Sequence, residues 1–83
     1  MNVNLTKTSQ KQFESLPRHE AKKVARKLLN LESTPYAGKK LEGNLSTLYS
    51  LRAWPYRIIY CIDLESKILT IISIEHRQSV YKG

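Results

Sequence analysis

Apolar and polar residues alternate in two different rhythms along this chain. Residues 2–6, "NVNLT", alternate in steps of two, as a short edge strand does. "SQKQFESL" follows, with Phe13 and Leu16 three apart on one helical face and Ser9 in place to cap the helix. Pro17 suits the first turn of a second helix. Across "PRHEAKKVARKLLNLES", Ala21, Val24, Ala25, Leu28 and Leu29 recur at helical spacing, while Arg18, Lys22, Lys23, Arg26 and Lys27 fall mainly on the other side. Glu32-Ser33-Thr34-Pro35 ends the helix, and "TPYAGKKLEGN" (34–44) reads as a turn-rich connection.

Period-two segments then take over at 45–52, 56–63 and 67–75, joined by the short links "AWP" and "LES". The order is one short strand, two helices and three strands. It predicts an α+β fold with two N-terminal helices packed on one face of a small antiparallel sheet. In 56–63, Tyr56, Ile58, Tyr60 and Ile62 share one face, and Arg57, Ile59, Cys61 and Asp63 share the other. By the same alternation Leu51, Ile72 and Ile74 join Ile58 and Ile62 under the helices. Arg52 and Arg57 are left on the uncovered face, heads in solvent and stems on apolar sheet.

Composition sharpens this picture. Eighty-three residues make one domain, 1–83, with one small core. Cys61 is the single cysteine, so no internal disulfide forms, and a reducing cytoplasm is the expected location. No stretch approaches the about 18 apolar residues of a membrane span, and "MNVNLTKTSQ" lacks the apolar region of a secretory signal. Fourteen Lys+Arg against seven Asp+Glu give a net charge of +7. That excess favours a polyanionic partner, RNA, DNA or an acidic protein, and does not by itself choose among them.

The end of the chain, "HRQSVYKG", places His76, Arg77, Tyr81 and Lys82 directly after the last strand. Arg52, Arg57 and Arg77 come from three adjacent segments. With a His and a Tyr beside them they form a set suited to a phosphodiester. Guanidinium forks bind phosphate in two-point fashion and keep their proton, and His or Tyr can move one. No carboxylate or His/Cys cluster has metal-ligand spacing, so neither a metal nor another cofactor is expected. Structural roles compete for the same residues. Arg52 and Arg57 can pair with Asp63, Glu65 or Glu75, Tyr81 can pack as a hydrophobe, and Trp54 and Tyr56 can serve packing rather than base stacking.

As an ordered set these residues resemble the RelE/ParE superfamily of toxins from type II toxin–antitoxin pairs. The resemblance covers nearly the whole chain. It rests on the basic helical hairpin, Lys40-Leu41-Glu42-Gly43, Leu51-Arg52, Tyr56-Arg57, and the closing His76-Arg77-Gln78-Ser79-Val80-Tyr81. It implies a toxin that cuts mRNA in the ribosomal A site without metal, by attack of a ribose 2′-hydroxyl on the adjacent phosphate. By that resemblance Arg57 and Arg77 stabilise the crowded phosphate, Tyr81 orients or activates the 2′-hydroxyl or stacks on a base, and His76 donates a proton. Arg52, with Lys39, Lys40 and Lys82, holds the RNA backbone. The resemblance also implies a cognate acidic antitoxin in a hetero-oligomer. One departure is visible: RelE-type ribonucleases often carry lysines where Leu48 and Ser50 stand here. A ParE-like toxin that acts on DNA gyrase and is no nuclease, or a family member of weak activity, therefore stays open as an alternative.

Overall fold

The computed structural model describes residues 1–41 and 48–76. Along the chain run strand β1 (Asn2–Leu5), helices α1 (Lys7–Glu14) and α2 (Arg18–Ser33), and strands β2 (Lys39–Lys40), β3 (Leu48–Ala53), β4 (Tyr56–Asp63) and β5 (Ile68–His76). The strands form one sheet in the order β1-β5-β4-β3-β2. The expected α+β architecture is present, and the sheet is mixed: β1 lies at the edge but runs parallel to β5, while the other pairs are antiparallel. A parallel neighbour needs a long return path, which the two helices and the meander between β1 and β5 supply.

The cap of helix α1 lies three residues before the expected one. Thr6, not Ser9, is the N-cap: its Oγ1 accepts the Ser9 N–H at 3.1 Å. Ser9 is buried inside the first turn and donates its own hydroxyl back to the Thr6 carbonyl at 3.1 Å. The same Thr6 hydroxyl lies 3.1 Å from the Ile72 carbonyl, and Gln12 Oε1 accepts the Ile74 N–H at 2.7 Å. Beyond Leu5 the outer edge of β5 is no longer paired with β1, and these α1 contacts take up its exposed backbone groups.

The core is Val24, Leu31, Ala53, Ile58, Tyr60, Leu69, Ile71 and Ile74, with Phe13, Leu28 and Leu51 among the residues packed around it. On α2 the sequence pattern placed Leu29 inward, but that side chain is 65% exposed and Leu31 is buried instead. Leu31 follows Val24 by two helical turns and lies nearly above it, whereas Leu29 is rotated about 140° away.

The larger correction is in β5. Strict alternation assigned Ile72 to the helix-covered face and Leu69 and Ile71 to the open one. The register is Ile59↔Ser73 but Tyr60↔Ile71, so Ile72 is an extra residue in the ladder. This bulge switches the parity of the strand, and Leu69, Ile71 and Ile74 all reach the core. Asp63 closes the β4–β5 turn. Its Oδ1 accepts the Glu65 and Ser66 N–H groups at 3.1 and 3.5 Å, and Lys67 leaves the turn in the left-handed region at φ 58°. The strand therefore starts at Ile68 rather than Lys67.

Candidate nucleic-acid interface on the open sheet face

The β3–β4 hairpin turns over Trp54-Pro55, with Ala53 opposite Tyr56 and Arg52 opposite Arg57. Arg57 is in turn opposite Glu75 on β5. Arg52, Arg57 and Glu75 thus form one row across three strands, on the face away from Ile58 and Tyr60. Arg52 is exposed and Arg57 half-buried. Both arginines are on the uncovered face, as alternation in β3 and β4 requires.

Next to this row a depression of about 580 Å³ opens at the β3 edge, bordered by Ala37, Lys39, Ser50, Arg52 and Arg57. Lys39 stands opposite Ser50 and so shares the arginines' side of the sheet. Lys40, opposite Tyr49, alternates to the other side, although it too borders the depression. Three cationic side chains, from β2, β3 and β4, therefore converge on one concave surface. Permanent guanidinium charges beside an ammonium suit a chain of phosphates.

Of the carboxylates offered as structural partners for these arginines, Asp63 is taken up by the β4–β5 turn and Glu75 stands beside Arg57. Asp63 lies at the far end of β4, where hydrogen bonds from the Ser66 hydroxyl and from the Ser66 and Glu65 amides hold its carboxyl below the usual carboxylate range. Glu75 is the direct cross-strand neighbour of Arg57, and its Oε2 also accepts the Ser73 hydroxyl at 2.9 Å. On the helices Glu20 takes the ion-pairing role, at 3.1 Å from His19 and 3.3 Å from Lys23. Lys23 also donates to the Trp54 carbonyl at 2.7 Å, fastening α2 to the β3–β4 turn. Part of the basic charge of α2 is thus structural.

His76 is not brought to this surface. It stands opposite Tyr56 in the ladder, and their rings meet edge to face at 5.2 Å. Tyr56 packs against the core, and both residues border a cleft with Lys11, Gln12 and Ser15 of the α1 side. Arg77, Tyr81 and Lys82 lie outside the described residues, so the fold relates Arg52, Arg57, Lys39 and Lys40 to one another and leaves those three unplaced. Among the described residues no three His, Cys, Asp or Glu side chains gather as metal ligands would.

Two residues that sequence reasoning passed over shape the site. The Tyr60 hydroxyl accepts the Gly38 N–H and donates to the Pro35 carbonyl, both at 2.9 Å. The signal was a phenol in the middle of an apolar strand, since a buried tyrosine hydroxyl needs a partner.

Two helices thus pack on a five-stranded sheet whose open face carries a cationic depression, and this chain's relatives with that fold are toxins of type II toxin–antitoxin systems. Residues 3–81 match the family of ParE toxins of type II toxin–antitoxin systems, parDE, and the chain belongs to that family within the RelE/ParE superfamily. It is 32% identical over 82 residues to toxin RelG of Mycobacterium tuberculosis, covering 96% of this chain and 94% of that one. The toxin–antitoxin complex RelBE2 of the same organism contains a chain of the same fold, with a TM-score of 0.84, 29% identity and coverage of 92% and 96%. The archaeal RelE–RelB complex of Pyrococcus horikoshii gives 0.77, 28%, 92% and 93%.

Proposed function

We propose that this toxin is a ribosome-dependent mRNA endoribonuclease, and that the Arg52–Arg57–Lys39 surface is where the RNA backbone lies. The observation that carries this reading is the convergence of three cations from three strands on one concave face. Cleavage proceeds by attack of a ribose 2′-oxygen on the adjacent phosphorus. The P–O5′ bond breaks, the 2′-hydroxyl proton goes to a base, and the leaving 5′-oxygen takes up a proton. The products are a 2′,3′-cyclic phosphate and a 5′-hydroxyl.

The charge that builds on the phosphorane oxygens is met by Arg57, the half-buried member of the row. A guanidinium there is typically worth about 10²–10³ in rate. Arg52 and Lys39 hold flanking phosphates. Arg77 joins Arg57, Tyr81 acts on the 2′-hydroxyl and Lys82 adds to the backbone contacts, on the strength of the family pattern. His76, on the α1 side of the sheet, is a poorer fit for the proton donor at Arg57 than the family pattern implies. The relatives in the RelBE2 and archaeal RelE–RelB structures are complexes with an antitoxin. By the same relationship this chain has an antitoxin, and its net charge of +7 calls for an acidic one.

A second reading has its own support. The matching family is that of ParE toxins, and Leu48 and Ser50 supply no charge on the strand where RelE-type ribonucleases often carry lysines. That reading is a gyrase-directed toxin without nuclease activity.

One experiment separates them. Purified toxin is added to a reconstituted translation reaction and new mRNA 5′ ends are mapped, with Arg57→Ala and ribosome-free RNA as controls. Cuts within A-site codons that both controls lack support the ribonuclease. Uncut mRNA together with inhibited supercoiling in a gyrase assay supports the second reading.

A further inference from the structure

Strand β2 is two residues long and forms the outer edge of the sheet. So short a strand has little hold of its own, yet Lys39 must stand at a fixed place if it is to share a ligand with Arg52 and Arg57. Its pairing with β3 ends in the Leu41 N–H bond to the Leu48 carbonyl, 2.9 Å long. The approach to Lys39 from the other side is held by a side chain of β4. Tyr60 is wholly buried, stacks on Tyr49 with ring centroids 5.3 Å apart, and carries its hydroxyl to the chain between α2 and β2. There it takes the Gly38 N–H and gives its proton to the Pro35 carbonyl.

The fit leaves no slack. A Cβ on Gly38 would lie 2.6 Å from the Tyr60 hydroxyl oxygen, 2.9 Å from its ring and 3.0 Å from the Ser50 carbonyl oxygen. Gly38 is therefore needed for a close approach of backbone to ring. It is also the residue directly before Lys39, and Ala37 beside it borders the depression.

We propose that Tyr60 is a positioning residue for the cationic surface: through Gly38 it sets where Lys39 and the Ala37 wall stand relative to Arg52 and Arg57, and hence how many phosphates the surface engages at once. The proposal rests on the reading of this face as an RNA-backbone surface. Tyr60 touches no RNA; it acts through Lys39. Loss of its hydroxyl leaves the ring, its stacking and most of the core in place. It releases the Gly38 N–H and the Pro35 carbonyl, and β2 is then free to swing from the β3 edge.

The test is a double-mutant cycle read by the salt dependence of binding to a fluorescent single-stranded RNA. Each phosphate contact contributes about 0.7 to the slope of log Kd against log salt. Lys39→Ala is expected to lower the slope by one contact, and Tyr60→Phe to lower it by the same amount with every lysine and arginine retained. The double variant is expected to match either single one, because both remove the same contact. Gly38→Ala gives a second route: with the Tyr60 hydroxyl intact, the added methyl displaces Gly38 and lowers the slope likewise. Amide exchange at Leu41, faster in Tyr60→Phe than in wild type, reports the loosened edge independently of RNA. A purely structural tyrosine lowers stability equally but predicts the wild-type slope in Tyr60→Phe, or slope changes that add to those of Lys39→Ala; either overturns the proposal while leaving the RNA reading standing. Wild-type protein whose binding to the free RNA is absent or insensitive to salt overturns this proposal; failure of the RNA reading shows separately, as uncut mRNA in the ribosome assay.

Discussion

Arg52 and Arg57 stand directly opposite each other in the β3–β4 ladder, two permanent like charges in one cross-strand pair. Such a pair costs stability, typically about 0.2–1 kcal/mol against a neutral one. Glu75, on the other side of Arg57, offsets part of that repulsion, and a polyanion bound on this face would offset the rest.

Removal of one member separates the two effects. Arg52→Ala is expected to leave the melting temperature unchanged or to raise it by a few degrees, roughly what 0.2–1 kcal/mol yields in a chain of this size. RNA binding at low salt falls at the same time. If the arginine were present mainly to pair with a carboxylate, the melting temperature would drop. Thermal melts and salt titrations on one preparation decide between these.

Arg57→Ala is expected to reduce ribosome-dependent cleavage by about 10²–10³, with the circular dichroism spectrum retained. Arg57→Lys keeps the charge but loses the two-point fork, so its activity should fall between wild type and Ala. Single-turnover cleavage rates on programmed ribosomes are the measurement.

Ser50→Lys places an ammonium opposite Lys39 and Ile59 on the face of the arginines, and Leu48→Lys places one a step further along β3. If the missing lysines limit the ribonuclease, either change raises cleavage and steepens the salt dependence by about one phosphate contact, a slope of about 0.7. Gyrase inhibition with no gain in cleavage would favour the second reading of the function.

Tyr60→Phe leaves two backbone groups without their partner, a loss of about 1–3 kcal/mol by denaturant titration. The pH dependence has a definite sign. Burial pushes the Tyr60 phenol above its ordinary value of 10.0, only partly offset by the bond from Gly38. The unfolded chain therefore loses this proton first as pH rises. The stability tied to the neutral phenol is complete below pH 10.0 and is lost as pH climbs from there toward the raised folded value. Wild-type stability should fall more steeply than that of Tyr60→Phe above this point.

Thr6→Ala removes the cap of α1 and the contact with the Ile72 carbonyl together. A cap alone is worth typically about 1 kcal/mol. The loss should exceed that of Ser15→Ala at the other end of the helix, where the hydroxyl bonds the Lys11 carbonyl in solvent. Urea unfolding of the two variants makes the comparison.

The sequence by itself determined the elements other than β2, which falls in a stretch read as turn, and most of their faces. Helical spacing marked α2, two-residue alternation put Arg52 and Arg57 on the open side, and Val24, Ile58 and Ile74 went to the core where the pattern placed them. These features are local, repeated over many residues and reinforced by burial. Tertiary structure decided what depends on a single residue or on a distant one. One extra residue, Ile72, reversed the parity of β5 and sent Leu69 and Ile71 inward. Alternation carries no mark of where a bulge falls. The parallel pairing of β1 with β5 joins segments more than sixty residues apart, which no local pattern encodes. Of the two lysines the family pattern offered there, pairing opposite Ser50 put Lys39 on the arginines' side and turned Lys40 to the other. His76 left that surface because register set it opposite Tyr56 rather than Arg57. Residue type announced the chemistry; pairing and register chose which of those residues meet.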